Sequence, residues 1–313
     1  MRDAFFERLV EVARIDERIV VLSADHGAFA LEKFQEEMPE RYINVGIAEQ
    51  NMVGVAAGLA SSGKIVFIYG ITPFVSLRVL EQLTLDVAAM QLPVNVISVG
   101  AGFTYSTDGP THQGLQDVAA VSTIPGMTIL NSSDPANTRA FVDLAVKNQK
   151  PHYIRIEKEK LVELNRLENL QVSMEKGFSI LAESKKGILL ISTGFLVHQV
   201  VEISALLGKE IKVELSVIDV HQLKPILENE ILRTISSYES VIIFEEAYSS
   251  TLGNELSKII TKNGLGINVT IIDTKDVFNF MGGSRAQMYE SSNLSLSDTL
   301  ALVREAVKGK LDV

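Results

Sequence analysis

Cysteine is absent from this chain of 313 residues, which excludes disulfides, thiolate metal sites and cysteine nucleophiles. Histidine is sparse, with 5 residues scattered without the carboxylate spacing of a metal centre. Basic residues are outnumbered, 29 Lys and Arg against 39 Asp and Glu for a formal charge of −10, and that balance argues against broad binding to nucleic acid or anionic membranes. No run approaches the roughly 18 uninterrupted apolar residues of a membrane span. Met1-Arg2-Asp3-Ala4 opens straight into an amphipathic helical pattern rather than a signal peptide, so a cytoplasmic protein is expected. Internal repeats and low-complexity tracts are missing too.

What is present is an ordinary globular composition, 46% hydrophobic and 22% charged, long enough for two domains. Apolar strand-like runs such as Ile19–Leu22, Ile65–Tyr69, Val94–Val99 and Met127–Leu130 alternate with helical patterns, the signature of mainly parallel α/β sheets flanked by helices. After Ile154-Arg155-Ile156 a charged segment without clean period, Glu157 through Asn169, reads as the start of a surface linker over 158–182. A second α/β series begins at Gly187. The expected domains are 1–165 and 183–313.

Three segments carry chemistry. In Gly46-Ile47-Ala48-Glu49-Gln50-Asn51 a carboxylate stands between a short strand, Tyr42–Val45, and a helix of small apolar residues, Met52–Ala60. The helix dipole favours its ionised form and the Val, Ile, Ala and Gly around it oppose that form. Two readings stand at this point, a functional acid or a helix-terminal one bonded to backbone amides. Thr107-Asp108-Gly109-Pro110-Thr111-His112-Gln113-Gly114 packs polar groups into a rigid turn, suited to ligand contact or to capping the next helix. Tyr69 to Arg78 runs from strand into a helix with Phe74 just inside it, as a core residue or as a stacking platform. Arg78 and Glu81, i and i+3, are expected to pair on the surface. His152, His198 and His221 are expected at the surface or at caps.

In order and spacing, Arg41-Tyr42 with Gly46–Asn51, Phe74 with Arg78, and Asp108–Gln113 resemble the pyrimidine-binding domain of the transketolase family of thiamine diphosphate enzymes. Ile218–Pro225, Phe244-Glu245-Glu246 and Asp276-Val277-Phe278 resemble the family's C-terminal domain. The resemblance extends along the whole chain. It implies that Glu49 hydrogen-bonds N1′ of the aminopyrimidine, favouring the imino form at the 4′ nitrogen that deprotonates thiazolium C2. It also implies that Phe74, with Ile71, contacts the pyrimidine. Asp108 and His112 would meet substrate hydroxyls, with His112 assisting proton transfer, and Arg2 and Lys158 would fall at positions for a substrate anion. His26, in Ser23-Ala24-Asp25-His26-Gly27 at the carboxyl end of the first strand, is a further candidate for the substrate site.

The family's diphosphate and metal motif, Gly-Asp-Gly followed by Asn, is not in this chain. The resemblance therefore implies the C-terminal subunit of a split transketolase. Its partner would be an N-terminal subunit holding Mg²⁺ and the diphosphate, in an α2β2 heterotetramer, with no metal site on this chain. Gly100 and Lys158 replace a His and an Arg that contact substrate phosphate in related transketolases, so the substrate is expected to differ from standard pentose and hexose phosphates. Alternatives are a deoxyxylulose phosphate synthase-like enzyme, the E1 β subunit of a 2-oxo acid dehydrogenase, and a binding or regulatory subunit.

Overall fold

The computed structural model describes residues 1–25, 29–184, 187–210 and 215–311. The chain divides into two compact units, Met1–Thr104 with Thr111–Glu163, and Tyr105–Pro110 with Leu164–Val313.

The first unit is built on β1 (Ile19–Ser23), β2 (Tyr42–Asn44), β3 (Ile65–Ile71), β4 (Val94–Val99), β5 (Thr128–Asn131) and β6 (His152–Ile156). These strands lie in the order β5-β6-β4-β3-β1-β2 and every pairing is parallel. Helices α1 (Arg2–Ala13), α2 (Phe29–Glu37), α3 (Glu49–Ser61), α4 (Leu80–Gln82), α5 (Asp117–Ser122) and α6 (Pro135–Asn148) complete it. The strands β1, β4 and β6 are buried along their whole length; β1 reads as a continuous apolar run, as a strand covered on both faces does, while β4 and β6 bury the polar side chains of Asn95, Ser98, His152 and Arg155. All six point their carboxyl ends the same way, so the loops after β2, β3 and β4 open on one edge, where ligands of parallel sheets collect.

The second unit contains α7 (Leu170–Lys176), β7 (Phe178–Ala182), β8 (Ile188–Ser192), α8 (Leu196–Glu210), β9 (Ser216–Val220), the short β10 (Gln222–Lys224), α9 (Glu228–Ile235), β11 (Ser240–Phe244), α10 (Thr251–Lys262), β12 (Asn268–Ile272), α11 (Arg285–Ser291) and α12 (Leu296–Leu311). Its sheet runs β12-β11-β8-β9-β7, parallel except for the antiparallel edge strand β7.

The stretch 158–182, expected as a linker, is structured from residue 170 onward. Asn169 caps α7 by accepting the Val172 N–H at 3.0 Å, and Gly177, at φ 79°, ends the helix and turns the chain into β7. The second sheet therefore begins at Phe178, ahead of the expected boundary at 183. A helix of seven residues is too short to show a period, and that hid it.

Two histidines expected at the surface are interior. His221 is fully buried, and so is His152, whose Nδ1 lies 2.9 Å from Asn95 Oδ1. Burial lowers the His152 pKa from 6.5 to about 4. Between those values the unfolded chain binds a proton that the folded chain refuses, so stability falls as pH drops from 6.5 towards 4. At the lower limit the loss from this group is about 3 kcal/mol. Urea unfolding at neutral pH and near pH 4.5 should show a smaller acid loss for His152→Asn than for the unaltered chain. Equal losses would exclude this origin.

Candidate functional site

The loop that delivers Glu49 is pinned by Asn44 at the end of β2. Its Oδ1 accepts the backbone N–H groups of Asp25 and of Gly46, both at 3.0 Å, while Val45 N–H bonds to the Ser23 carbonyl. Gly46 turns with φ at +73°, a conformation glycine adopts without cost. Glu49 then opens α3, whose Met52, Val53, Ala56, Ala57 and Ala60 are buried, and it is itself only 3% exposed.

The partner of this carboxylate is Arg78, whose Nη1 donates to Glu49 Oε2 at 2.7 Å. The expected surface pair of Arg78 with Glu81 is replaced by a contact spanning 29 residues. The cause is local geometry. Residues 72–76 form turns rather than helix, Leu77–Val79 is a 3₁₀ turn, and only Leu80–Gln82 is α-helical before the chain widens into a π-helix over Leu83–Ala88. An i, i+3 argument requires regular helix on both sides.

Phe74 accordingly lies in the turn after β3, not inside a helix. Its backbone N–H and that of Val75 bond to the carbonyl of Ile71, the half-buried last residue of β3. The Arg78 guanidinium lies 4.3 Å from the centroid of the Phe74 ring, and the His112 ring meets that ring edge-on at 5.2 Å. Thr111 Oγ1 stands 2.9 Å from His112 Nδ1. Glu49, Phe74 and His112 are thus gathered in one unit, with Arg78 as the link that helical spacing had assigned elsewhere.

Of the other expected residues, three are described and one lies outside the described residues. Asp108 belongs to the segment that groups with the second unit, where Thr107 Oγ1 donates to its carboxylate at 3.0 Å. Arg2 pairs with Asp3 at 3.5 Å, and its charge opposes the upward pKa shift that burial gives the Tyr69 phenol. Lys158 is exposed just beyond β6. His26 lies outside the described residues.

Behind the His112 loop is a buried polar network that no motif in the sequence announced. Arg155 on β6 donates from Nε to Asp117 Oδ2 at 3.0 Å and from Nη2 to the Gly114 carbonyl. The Tyr153 hydroxyl donates to the same Asp117 oxygen at 2.8 Å and sits 2.7 Å from Ser98 Oγ, which reaches Thr72 Oγ1. Burial holds the Tyr153 phenol protonated well above its ordinary range. Gly114 and Gly102 exchange backbone hydrogen bonds at 2.9 Å, and a Cβ on Gly114 would come within 2.6 Å of the Gly100 carbonyl oxygen. The visible signal was Tyr and Arg at i, i+2 on one face of an apolar strand.

A buried carboxylate that accepts from a nitrogen donor, beside an aromatic ring, is a donor set that fits an aminopyrimidine. For metal, no group of three or more His, Asp or Glu is gathered among the described residues. Nor is any helix among the described residues long and apolar enough to cross a membrane.

Two parallel α/β units, with an acid and an aromatic ring at the carboxyl edge of the first sheet, define the architecture of the thiamine-dependent ketol transferases. The family model for the transketolase pyrimidine-binding domain matches residues 1–163 and that for the transketolase C-terminal domain matches residues 178–298. The chain belongs to the transketolase family, as a C-terminal subunit of the split kind. It is 34% identical over 285 residues to a 6-deoxy-6-sulfo-D-fructose transketolase subunit of Clostridium sp. (strain MSTE9), covering 90% of this chain and 87% of that one. It is 31% identical to one of the apulose-4-phosphate transketolase subunits of Phocaeicola vulgatus, covering 88% of each. A solved structure described as a split gene transketolase, inactive beta4 tetramer, superimposes with a TM-score of 0.86 at 28% identity, covering 98% of both chains. Against a 1-deoxy-D-xylulose-5-phosphate synthase of Fusobacterium nucleatum identity falls to 28%, and this chain covers 50% of that protein.

Proposed function

We propose that this chain supplies the pyrimidine half of a thiamine diphosphate site completed by a separate N-terminal subunit, and that the pair transfers a two-carbon ketol unit from a ketose donor to an aldehyde acceptor. The observation that carries this reading is the meeting of Glu49, Phe74 and His112 at the carboxyl edge of one parallel sheet. When bound, thiamine diphosphate supplies a carbon nucleophile. Glu49 would share a proton with the pyrimidine N1′, while Phe74 and Ile71 would face the ring. His112 and Asp108 would orient substrate hydroxyls, with His112 moving a proton. Mg²⁺ would be held by the N-terminal subunit, α2β2 is the proposed assembly, and the cytoplasm, where charged sugars and thiamine diphosphate are retained, is the proposed compartment.

The relatives named for 6-deoxy-6-sulfo-D-fructose and for apulose 4-phosphate carry anionic sugars in their names, which supports an anionic sugar substrate outside the standard pentose and hexose phosphates. Lys158 and Arg2 are the proposed cations for it. His112→Ala in the reconstituted pair should lower kcat/KM for ketol transfer by about a hundredfold or more and leave exchange of the cofactor's C2 proton within a few fold. Loss of exchange to the same degree would remove His112 from the substrate step. Transfer from xylulose 5-phosphate to ribose 5-phosphate at ordinary transketolase efficiency would refute the substrate assignment.

A further inference from the structure

We propose that Arg78 is a positioning residue for the Glu49 carboxylate and the Phe74 ring, a role that rests on the pyrimidine-site reading above. One guanidinium meets both groups. Its Nη1 holds Glu49 Oε2 at 2.7 Å, and its central carbon sits 4.3 Å from the Phe74 centroid. A carboxylate offers two oxygens, and fixing one to a planar fork sets the plane in which the other is presented. Oε1 is then the oxygen for the cofactor's ring nitrogen. One side of the Phe74 ring is held by the guanidinium, which fixes the orientation in which the ring is presented.

The geometry gives Arg78 this role rather than a purely structural one. Glu49 is buried while the Arg78 side chain is 43% exposed, so the guanidinium reaches the acid from the open side of the site. The strands packed against α3, namely β1, β3 and β4, carry no charged side chain, and Glu81 and Asp86 on the neighbouring helical segment are exposed. Arg78 is therefore the cation placed to orient this acid. Its position depends on the turn and 3₁₀ geometry of residues 72–79, which brings position 78 back over position 74.

The test uses the chain with its N-terminal subunit and thiamine diphosphate itself as the probe. Affinity is measured by calorimetry, and C2 proton exchange by NMR at saturating cofactor. Arg78→Gln should bind within about threefold of the unaltered pair and exchange roughly ten- to a hundredfold more slowly, the scale of a small misplacement of a reacting group. Glu81→Gln should change neither quantity. Unaltered exchange in Arg78→Gln, an equal loss in Glu81→Gln, or tighter cofactor binding in Arg78→Gln, as for a side chain that has to be displaced, would each overturn the role of Arg78 alone. An unaltered pair that binds no thiamine diphosphate would overturn the reading of the site and this role with it.

Discussion

Glu49→Gln in the assembled enzyme is expected to slow exchange of the C2 proton of bound thiamine diphosphate by about 10²–10⁴-fold, the range for losing a positioned acid–base group. Far-UV circular dichroism and the thermal midpoint should be nearly unchanged. Glutamine keeps the volume of a side chain that is 3% exposed at the start of α3, so packing against the helix is preserved. Its amide oxygen still accepts from Arg78. What is lost is a carboxyl group able to share a proton with its partner, because an amide neither takes up nor releases one. Exchange at the unaltered rate would remove Glu49 from the mechanism.

The second large effect is on stability. Arg155→Met should destabilise the chain by about 3–5 kcal/mol, the cost of breaking a buried ion pair by removing one member. The side chains of Arg155 and Asp117 are 5% and 2% exposed, so water cannot replace the lost partner. Tyr153 would still donate to Asp117, but the Gly114 carbonyl would lose a charged donor. The double variant Arg155→Met with Asp117→Leu should regain much of the loss, since no uncompensated charge remains. Urea midpoints of the two variants test this directly, and a single variant as stable as the parent would contradict the assignment. Because Gly114 is two positions beyond His112, the single variant is also expected to lower ketol transfer.

How far the chain could be read from its letters depended on the range of the contacts involved. The parallel α/β architecture was legible because the central strands β1 and β3 are buried almost throughout and so appear as apolar runs. Glu49, Phe74 and His112 stand out as candidates because each sits in a contiguous stretch of turn-forming and polar residues at the end of a strand. Arg78 was misassigned to Glu81 because helical spacing was extended through a segment whose backbone is not regular helix. The group of Asp117, Tyr153 and Arg155 was invisible for a different reason. Its members lie 36 and 38 residues apart, and only the pairing of β4 with β6 and the return of the loop into α5 bring them together.

The order of elements, the two-part organisation and the residue types available for chemistry are properties of the sequence alone, since periodicity, turn residues and composition are local. Partnership is not local. Glu49 looked like either a helix-terminal acid or a functional one, and no propensity separates the two. What the tertiary structure adds is the surroundings, setting the carboxylate under a guanidinium from a distant turn that also carries the Phe74 ring, with a histidine from one further loop against that ring. Parallel strands made this possible, because they deliver the loops after β2, β3 and β4 to the same edge of the sheet.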